Sequence, residues 1–444
     1  MVALNLSLDL GSYFEAVEKV PIITMEGRII KIVGLIAEGV GLGMGIGSIC
    51  TIQNDNGENL MAEVIGFKDD SVLLMPYGST RGIRPGCRFT LLDKSPKAAV
   101  GDNFLGRVVD GMGNPIDGMG TITPSAYYPL YGNPINPMQR RPIKKLLDVG
   151  VAAINSIIPL GRGQRVAIMA GSGVGKSVLM GMMTKHTKAD VTIIGLIGER
   201  GREVSDFVCE TLGKEGIKRA VVVAATSDSP PLVRMRGAYL STTLAEFFRD
   251  QGKDVLLIID SITRYAMSSR DVGLAAGEPP TTKGYTPSFF AQIPVLLERA
   301  GSVEGKGSIT GIYTVLVEGD DMNDPVGDTV RSIVDGHIVL SRKLANRGHY
   351  PAIEVLESVS RVMRDVISRD HLEVRSKAID VLATYKGAED MISIGAYVNG
   401  SDAKIDFAKK MYPQIVGFLR QEVEKQVTYE DGLSKLKTIF QKAK

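Results

Sequence analysis

Residues 165–177 read Arg-Val-Ala-Ile-Met-Ala-Gly-Ser-Gly-Val-Gly-Lys-Ser, an apolar run that leads into a glycine-rich turn. The segment that follows, VLMGMMTKH at 178–186, has a helical composition. A glycine-rich turn between a strand and a helix lets successive backbone N–H groups surround phosphate oxygens, and the helix adds the positive end of its dipole. The stretch therefore predicts a P-loop in an α/β fold.

Two polar residues of this loop have expected roles toward ATP and Mg²⁺. Lys176 supplies a positive charge to the phosphates, and the Ser177 hydroxyl can ligate Mg²⁺. The residues predicted to bind the nucleotide are Gly171, Ser172, Gly173, Val174, Gly175, Lys176, Ser177 and Val178. The alternative is a glycine-rich turn with an accidental Gly-Lys-Ser, and the strand before it and the helix after it argue against that interpretation.

Further apolar runs predict the rest of a parallel sheet, because strands buried on both faces are almost continuously hydrophobic. The runs are 191–198, 220–226, 254–260 and 312–319. Asp260 ends one run, where a carboxylate can hold Mg²⁺. Glu199 follows another and can polarise the attacking water. The alternative for Glu199 is a surface ion pair with Arg200, which contributes little.

Composition changes along the chain predict its domains. Short β-branched runs cut by glycines favour a small β-barrel, and the last part is charged and helical. The expected domains are an N-terminal docking segment at 1–20, a β-barrel at 21–95, an α/β ATPase domain at 96–370 and a helical domain at 371–444.

Bulk properties exclude several classes of protein. The net charge of +2 gives no electrostatic reason to expect nucleic acid as a partner. The start of the chain lacks the features of a signal peptide, and no apolar run approaches 18 residues. Three scattered cysteines form no CxxC pair. We therefore expect a cytoplasmic protein with reduced cysteines that is peripheral to a membrane at most.

Four motifs give the chain a specific resemblance. The sequences GSGVGKS (171–177), GERGREV (198–204), DSITRYAMSSRDVGLAAGEPPTTKGY (260–285) and GHYPAIEVLESVSRVM (348–363) resemble the ATPase family of rotary ATPase catalytic subunits and type III protein-export ATPases. The similarity covers roughly residues 20–425. It implies a RecA-like P-loop core, an N-terminal β-barrel, a helical C-terminal domain and a homohexameric ring.

The resemblance also implies catalytic roles for three residues. It implies that Glu199 acts on the lytic water, that Arg200 helps to shape the phosphate site, and that Arg361 is an arginine finger supplied by the neighbouring subunit. One chain then carries every catalytic group, so a homohexamer is sufficient. The alternative for Arg361 is an ion pair within its own chain.

The sequence differs from the family pattern in two respects. Rotary catalytic subunits place an aromatic side chain against adenine shortly after the finger, at a position that here corresponds to Leu372. Tyr412 and Phe418 are candidates to take its place, and the sequence leaves the adenine contacts open. The injectisome branch of the family often alters the P-loop, so the loop here, followed by LMGMM, favours the flagellar branch.

The resemblance implies several partners. They are a stator-like regulatory protein at the N-terminus, a coiled-coil stalk protein in the pore, and export chaperones and gate proteins at the inner-membrane export apparatus. We expect Asp320, Asp321 and Asp324 to contact a basic stalk, with an acidic solvated loop as the alternative.

Three other functions remain open at this point. The first is the catalytic subunit of a rotary ATP synthase, which a distinct non-catalytic partner would favour. The second is an RNA-dependent ring helicase, against which residues 22–95 show few aromatics and no basic stripe. The third is a non-catalytic nucleotide-binding scaffold, against which Glu199 argues.

Overall fold

The computed structural model describes residues 25–41, 43–317 and 324–441. The predicted docking segment 1–20 and the acidic residues Asp320 and Asp321 lie outside these ranges. The chain divides into two compact units, at 1–96 and 97–444.

The first unit contains a closed six-stranded barrel with the strand order β1-β2-β5-β4-β3-β6, and all pairs are antiparallel. The strands are β1 (Glu26–Val33), β2 (Ile36–Gly41), β3 (Ile49–Gln53), β4 (Asn59–Lys68), β5 (Ser71–Pro76) and β6 (Arg88–Asp93). The buried Phe89 ring fills the interior against Gly27 and Gly39, where an added Cβ would lie 2.2 and 2.5 Å from ring atoms. The predicted barrel is confirmed, and these contacts explain two of its glycines.

The second unit is built on a sheet with the strand order β19-β18-β12-β17-β15-β13-β14-β8. The strands of this unit are β7 (Lys97–Val100), β8 (Val108–Asp110), β9 (Ala126–Pro129), β10 (Leu146–Leu147), β11 (Leu160–Gly161), β12 (Arg165–Ala170), β13 (Val191–Ile197), β14 (Ala220–Ala225), β15 (Asp254–Asp260), β16 (Gly301–Ser302), β17 (Ser308–Leu316), β18 (Gly336–Leu340) and β19 (Val359–Ser360). The pairs from β18 through β8 are parallel, as the continuous apolar runs predicted. Their carboxyl ends therefore share one edge, where ligands bind in folds of this kind.

Helices cover both faces of this sheet, and the last three form the predicted helical end of the chain. The helices are α1 (Ala152–Ile157), α2 (Lys176–His186), α3 (Gly201–Asp206), α4 (Gly213–Ile217), α5 (Pro231–Asp250), α6 (Ile262–Ala275), α7 (Pro287–Leu297), α8 (Pro325–Ile333), α9 (Arg342–Asn346), α10 (Met363–Val366), α11 (Arg369–Ser393), α12 (Ala403–Leu419) and α13 (Tyr429–Gln441). A π-helical turn, Phe207–Leu212, joins α3 to α4.

Helices α11–α13 share a hydrophobic core with the sheet domain. Met411 and Ile415 belong to the same buried cluster as Ile168 of β12. The buried His371 ring contacts the Ser156 carbonyl oxygen through Nε2 at 2.7 Å and the Tyr429 hydroxyl through Nδ1 at 3.2 Å. Residues 97–444 therefore form one unit, and a domain boundary at 370 stays a prediction.

None of the helices in the described ranges is both long enough and apolar enough to cross a membrane.

Candidate active site

The P-loop lies between the last residue of β12, Ala170, and the first residue of α2, Lys176. Gly173 and Gly175 have φ values of +77° and +94°, a region that favours glycine. Ser172, Ser177 and Val178 are exposed at the turn, whereas Val174 is buried. The loop therefore presents its backbone and the Ser177 hydroxyl at the carboxyl edge of the sheet. This is where the sequence predicted that the phosphates bind.

Three predicted residues meet at this edge. The Lys176 ammonium donates to Asp260 Oδ1 and lies 3.4 Å from Glu199 Oε1. The three side chains are only 11%, 3% and 16% exposed, so their attraction is weakly screened. Thr314, on β17, donates its hydroxyl to the same Asp260 oxygen at 2.5 Å. The chain thus brings a cation and two carboxylates together without a partner subunit.

Glu199 is held by a turn that requires glycine. Gly198 has φ +72°, and a Cβ there would lie 2.7 Å from the Cβ of Arg264. Burial raises the pKa of the Glu199 carboxyl to about 7, and the Asp260 carboxylate and a hydrogen bond with Glu203 act in the same direction. The Lys176 ammonium lowers that pKa. A carboxyl with a pKa near 7 can accept a proton at neutral pH.

The two predicted arginines lie outside this cluster. The Arg200 side chain is 82% exposed and pairs with Glu203 at 3.6 Å, so its role at the phosphates stays a prediction. Arg361 is exposed and follows β19. Its backbone N–H donates to the Asp335 carbonyl oxygen, next to Arg165 at the amino end of β12. Because β12 rises by about 3.3 Å per residue, the backbone of Arg361 lies about 17 Å along the strand from the start of its own P-loop.

A cavity of about 750 Å³ adjoins the P-loop. Its lining includes Gly175, Val178, Tyr350 and Phe418. Two apolar or aromatic side chains beside the loop that binds phosphates form a suitable seat for a nucleotide base. The cavity thus extends the phosphate site toward the C-terminal helices.

Of the two aromatic candidates for the base contact, one lines this cavity. Phe418 lines the cavity, whereas Leu372 and Tyr412 do not. Tyr412 instead stacks on Tyr385, with ring centroids 3.7 Å apart. Sequence reasoning missed Tyr350, which lines the cavity and comes within 3.5 Å of a Cβ built on Gly175. The Tyr-Pro pair inside GHYPAIEV was the available signal.

Two further residues were missed because only the fold brings them near the site. Thr314 reaches Asp260 because β17 is the neighbour of β15. Arg264 packs over the turn before Glu199, and its buried Nε has no hydrogen-bond partner among the described residues. A buried guanidinium N–H without a partner beside a phosphate site is a further candidate to bind an anion.

Asp324 has a structural role that the sequence did not indicate. Its Oδ1 accepts hydrogen bonds from Val326 N at 3.0 Å and Gly327 N at 3.4 Å, which caps α8. Its other oxygen lies 3.3 Å from Lys283 Nζ. The carboxylate is therefore largely engaged within the chain.

The combined geometry defines a class of protein. A P-loop lysine, a buried carboxylate at the end of a parallel strand, and a second carboxylate with a pKa near 7 form the site of a P-loop nucleotide hydrolase.

Comparison with known proteins narrows this class. The nucleotide-binding domain of the ATP synthase alpha/beta family matches residues 150–360, and the family's beta-barrel domain matches residues 29–89. The C-terminal domain of the type III secretion ATPase EscN matches residues 367–438.

Relatives are similar over nearly the whole chain. The flagellum-specific ATP synthase of Bacillus subtilis is 48% identical over 93% of this chain and 94% of the relative. The flagellum-specific ATP synthase of Pseudomonas aeruginosa is also 48% identical, over 97% of this chain and 96% of the relative.

A solved structure has the same fold. The assembled ATPase EscN from the enteropathogenic E. coli type III secretion system is 43% identical, with a TM-score of 0.89 over 93% of this chain and 99% of that one. EscN in complex with its central stalk EscO gives a TM-score of 0.86 at 42% identity, over 93% of this chain and 99% of that one. The chain belongs to the ATP synthase alpha/beta family, in its type III export branch, and is an ATP-hydrolysing enzyme.

Proposed function

We propose that this chain hydrolyses MgATP at the interfaces of a homohexameric ring and thereby powers the unloading and export of flagellar proteins through a type III secretion gate. The observation that carries the catalytic part is the Lys176 cluster, in which one ammonium contacts both Asp260 and Glu199. Relatives named flagellum-specific ATP synthases support the flagellar assignment.

Phosphate binding is the task of the P-loop. Backbone N–H groups of residues 171–177 surround the β- and γ-phosphates, and Lys176 turns from the carboxylates to the phosphate oxygens. Ser177 and Asp260 fit a Mg²⁺ ion, because Mg²⁺ is usually held by one or two protein oxygens together with substrate phosphates and water. When bound, Mg²⁺ neutralises charge on the phosphates. Thr314 keeps the Asp260 carboxylate in one orientation through its hydrogen bond.

Water activation is the task of Glu199. The residue lies close enough to Lys176 to be near the terminal phosphate when the lysine binds it. Its raised pKa allows it to orient water and take a proton at neutral pH. Phosphoryl transfer depends mainly on positioning and electrostatics, so these few groups are sufficient together with an arginine.

The arginine comes from the neighbouring subunit. Arg361 is exposed, lies at the end of β12 opposite its own P-loop, and has no carboxylate within ion-pair distance among the residues in the described ranges. These facts disfavour the ion pair within the chain and support a finger that acts in trans. A ring of identical subunits then completes every site.

The base binds in the cavity beside the loop. Tyr350 and Phe418 line it, and we assign them the stacking role, for which the sequence offered Phe418 and Tyr412 as candidates. The Gln421 carboxamide already makes three hydrogen bonds within the chain. Its Oε1 accepts from Ala152 N, and its Nε2 donates to the carbonyl oxygens of Gly150 and Lys425. Base recognition therefore depends on stacking more than on the Gln421 side chain.

The partner proposals rest on relatives. EscN forms a complex with its central stalk EscO, which supports a stalk protein in the pore of the ring formed by this chain. Because Asp324 caps α8, we propose that Asp320 and Asp321 make the acidic contact, with a smaller contribution from Asp324. The stator-like protein, the chaperones, the gate and a peripheral position at the inner-membrane export apparatus are proposed on the same basis.

A titration of turnover against protein concentration tests the ring. We expect ATPase activity per subunit to rise steeply with concentration in the wild type and to be lost in Glu199→Ala at every concentration. Activity per subunit that does not depend on concentration would contradict catalysis at interfaces. Activity that survives Glu199→Ala would contradict the assigned role of the carboxylate.

An injectisome ATPase is the second candidate, favoured by the TM-score of 0.89 with EscN. A complementation experiment separates the two. Expression of this chain in a flagellated strain that lacks its flagellum-specific ATP synthase should restore motility. Failure there, with restored secretion in a strain that lacks EscN, would favour the injectisome.

A further inference from the structure

The finger residue is anchored through its backbone rather than its side chain. The N–H of Arg361 donates to the Asp335 carbonyl oxygen at 2.9 Å, and the same oxygen accepts from Gln164 Nε2 at 3.2 Å. The Arg361 guanidinium makes one long contact, at 3.5 Å, with the Arg331 carbonyl oxygen. The position of Arg361 therefore depends on how firmly Asp335 is held.

Asp335 is held firmly by the first residue of β12. Its Oδ2 accepts from Arg165 N at 3.0 Å and from Arg165 Nε at 3.1 Å, and its Oδ1 accepts from Arg165 Nη2 at 3.0 Å. The Asp335 N–H donates back to the Arg165 carbonyl oxygen at 2.8 Å. A bidentate arginine–carboxylate pair fixes both distance and orientation, unlike a single point contact.

The surroundings stabilise this pair and link it to the finger. Arg165 also pairs with Glu298, which in turn pairs with Arg140 at 2.5 Å. The Arg165 and Asp335 side chains are 13% and 24% exposed, so water weakens their attraction only partly. Ser360, the residue before Arg361, accepts from Gln164 at 3.2 Å and donates to the Pro159 carbonyl oxygen at 2.7 Å.

We propose that Arg165 and Asp335 form a positioning pair, which places Arg361 for the site of the neighbouring subunit. This inference rests on the proposed function, in which Arg361 acts in trans. The pair lies at the amino end of β12, whereas the P-loop of the same chain follows its carboxyl end, and the pair acts by fixing the segment from which the finger projects. One strand, β12, then carries the P-loop of its own site at one end and the anchor for the next site at the other.

Asp335→Asn is the main variant, because it keeps the size of the side chain and removes the charge. Displacement of a catalytic group by about 1 Å can reduce a rate by about 10²-fold, and we expect a loss of ring ATPase activity of that order. Binding of a fluorescent ATP analogue to single subunits should stay within about twofold of the wild type, since Asp335 lies far from the P-loop.

Mixing experiments provide the readout that a merely structural role would not change. Asp335→Asn subunits keep an intact P-loop and Glu199, so mixing them with Glu199→Gln subunits should restore activity. Mixing them with Arg361→Ala subunits should restore no activity, because neither variant supplies a correctly positioned Arg361. Recovery in the second mixture would overturn the proposal, because it would show that Asp335→Asn still supplies a working finger.

Asp117→Asn is the matched control. Arg107 donates to Asp117 through Nε at 2.8 Å and Nη2 at 2.9 Å, so this is another bidentate and largely buried pair of the same unit. Neither residue contacts the Arg361 segment. We expect the control to lower thermal stability as Asp335→Asn does, without the loss of ring activity.

Ser360→Ala keeps the proposal testable if Asp335→Asn does not fold. It removes the hydroxyl beside the finger, and we expect a several-fold loss in the same mixing pattern. Wild-type activity in Ser360→Ala together with loss of folding in Asp335→Asn would contradict the inference. If Arg361→Ala and Glu199→Gln fail to restore each other, the proposed function fails instead, so the two failures are distinguishable.

Discussion

The two ends of β12 differ in the charged residues that surround them. At the carboxyl end, Lys176 is enclosed by Asp260 and Glu199 of the same chain. At the amino end, Arg165 and Asp335 hold the segment that presents an exposed Arg361. One end gathers phosphate-binding and water-activating groups within the chain, and the other holds a cation away from them. We therefore propose that the carboxyl end of one subunit and the amino end of its neighbour together complete a catalytic site.

The largest expected effect comes from removing the exposed cation. Arg361→Ala should lower the turnover of the assembled ring by about 10³–10⁵-fold, the usual contribution of an arginine finger. Binding of a fluorescent ATP analogue to isolated subunits should remain, because the carboxyl end of β12 is intact. Arg364→Ala, an exposed arginine three residues further on, is the control and should keep wild-type turnover. If Arg361→Ala greatly weakens binding of the analogue to isolated subunits, then Arg361 acts at the P-loop of its own chain. That result would contradict the division of roles between the two ends of β12.

A smaller effect tests the base cavity beside the carboxyl end. Tyr350→Ala should weaken ATP binding by about 5–150-fold, since stacking on one base contributes about 1–3 kcal/mol. Tyr412→Ala is the matched control, because that ring stacks on Tyr385 and does not line the cavity. Isothermal titration at 25 °C measures both. Equal losses in the two variants would contradict the assignment of Tyr350 to the base.

The smallest expected effect concerns the pH dependence of stability at the carboxyl end. Burial raises the pKa of Glu199 from 4.5 to about 7, so the folded chain keeps this proton over a pH range in which the unfolded chain has lost it. The free energy of unfolding therefore falls with rising pH between about pH 4.5 and pH 7 through this group. Relative to Glu199→Gln, the wild type should lose on the order of 1–2 kcal/mol from pH 5 to pH 8.

Urea denaturation at the two pH values measures this difference. Glu210→Gln, at an exposed glutamate, is the control and should follow the wild type. If the wild type and Glu199→Gln have the same pH dependence, then the carboxylate is not held in the low-polarity environment that the site requires.

The sequence predicted the local parts of the molecule well. The P-loop, the parallel strands and the barrel depend on glycine positions and runs of apolar residues, which act over a few neighbours. The prediction for Asp260 depended on the P-loop as well as on the aliphatic run that Asp260 ends, because an aspartate after such a run is weak evidence alone. Glu199 needed the family resemblance, since a carboxylate after a strand is compatible with a surface position.

The sequence predicted contacts between distant segments less well. Tyr350 reaches the P-loop only through the fold, whereas the family resemblance pointed to a position after the finger, Leu372, which is not aromatic. Tyr412 and Phe418 are six residues apart on α12, which turns the helix by about 240°, so they point to different sides. Only one of them can face the cavity, and the sequence alone did not indicate which. Arg165 and Asp335 are 170 positions apart, and neither belongs to a motif.

The most direct test of the account is the turnover of an equimolar mixture of Glu199→Gln and Arg361→Ala subunits. Each variant alone should be inactive. In randomly mixed rings, a site works when an Arg361→Ala P-loop meets a Glu199→Gln finger, which occurs at roughly a quarter of the interfaces. We therefore predict recovery to roughly a quarter of wild-type activity. If the mixture forms rings but is as inactive as its components, then the P-loop of one subunit and Arg361 of its neighbour do not form a catalytic site, which would contradict the proposal.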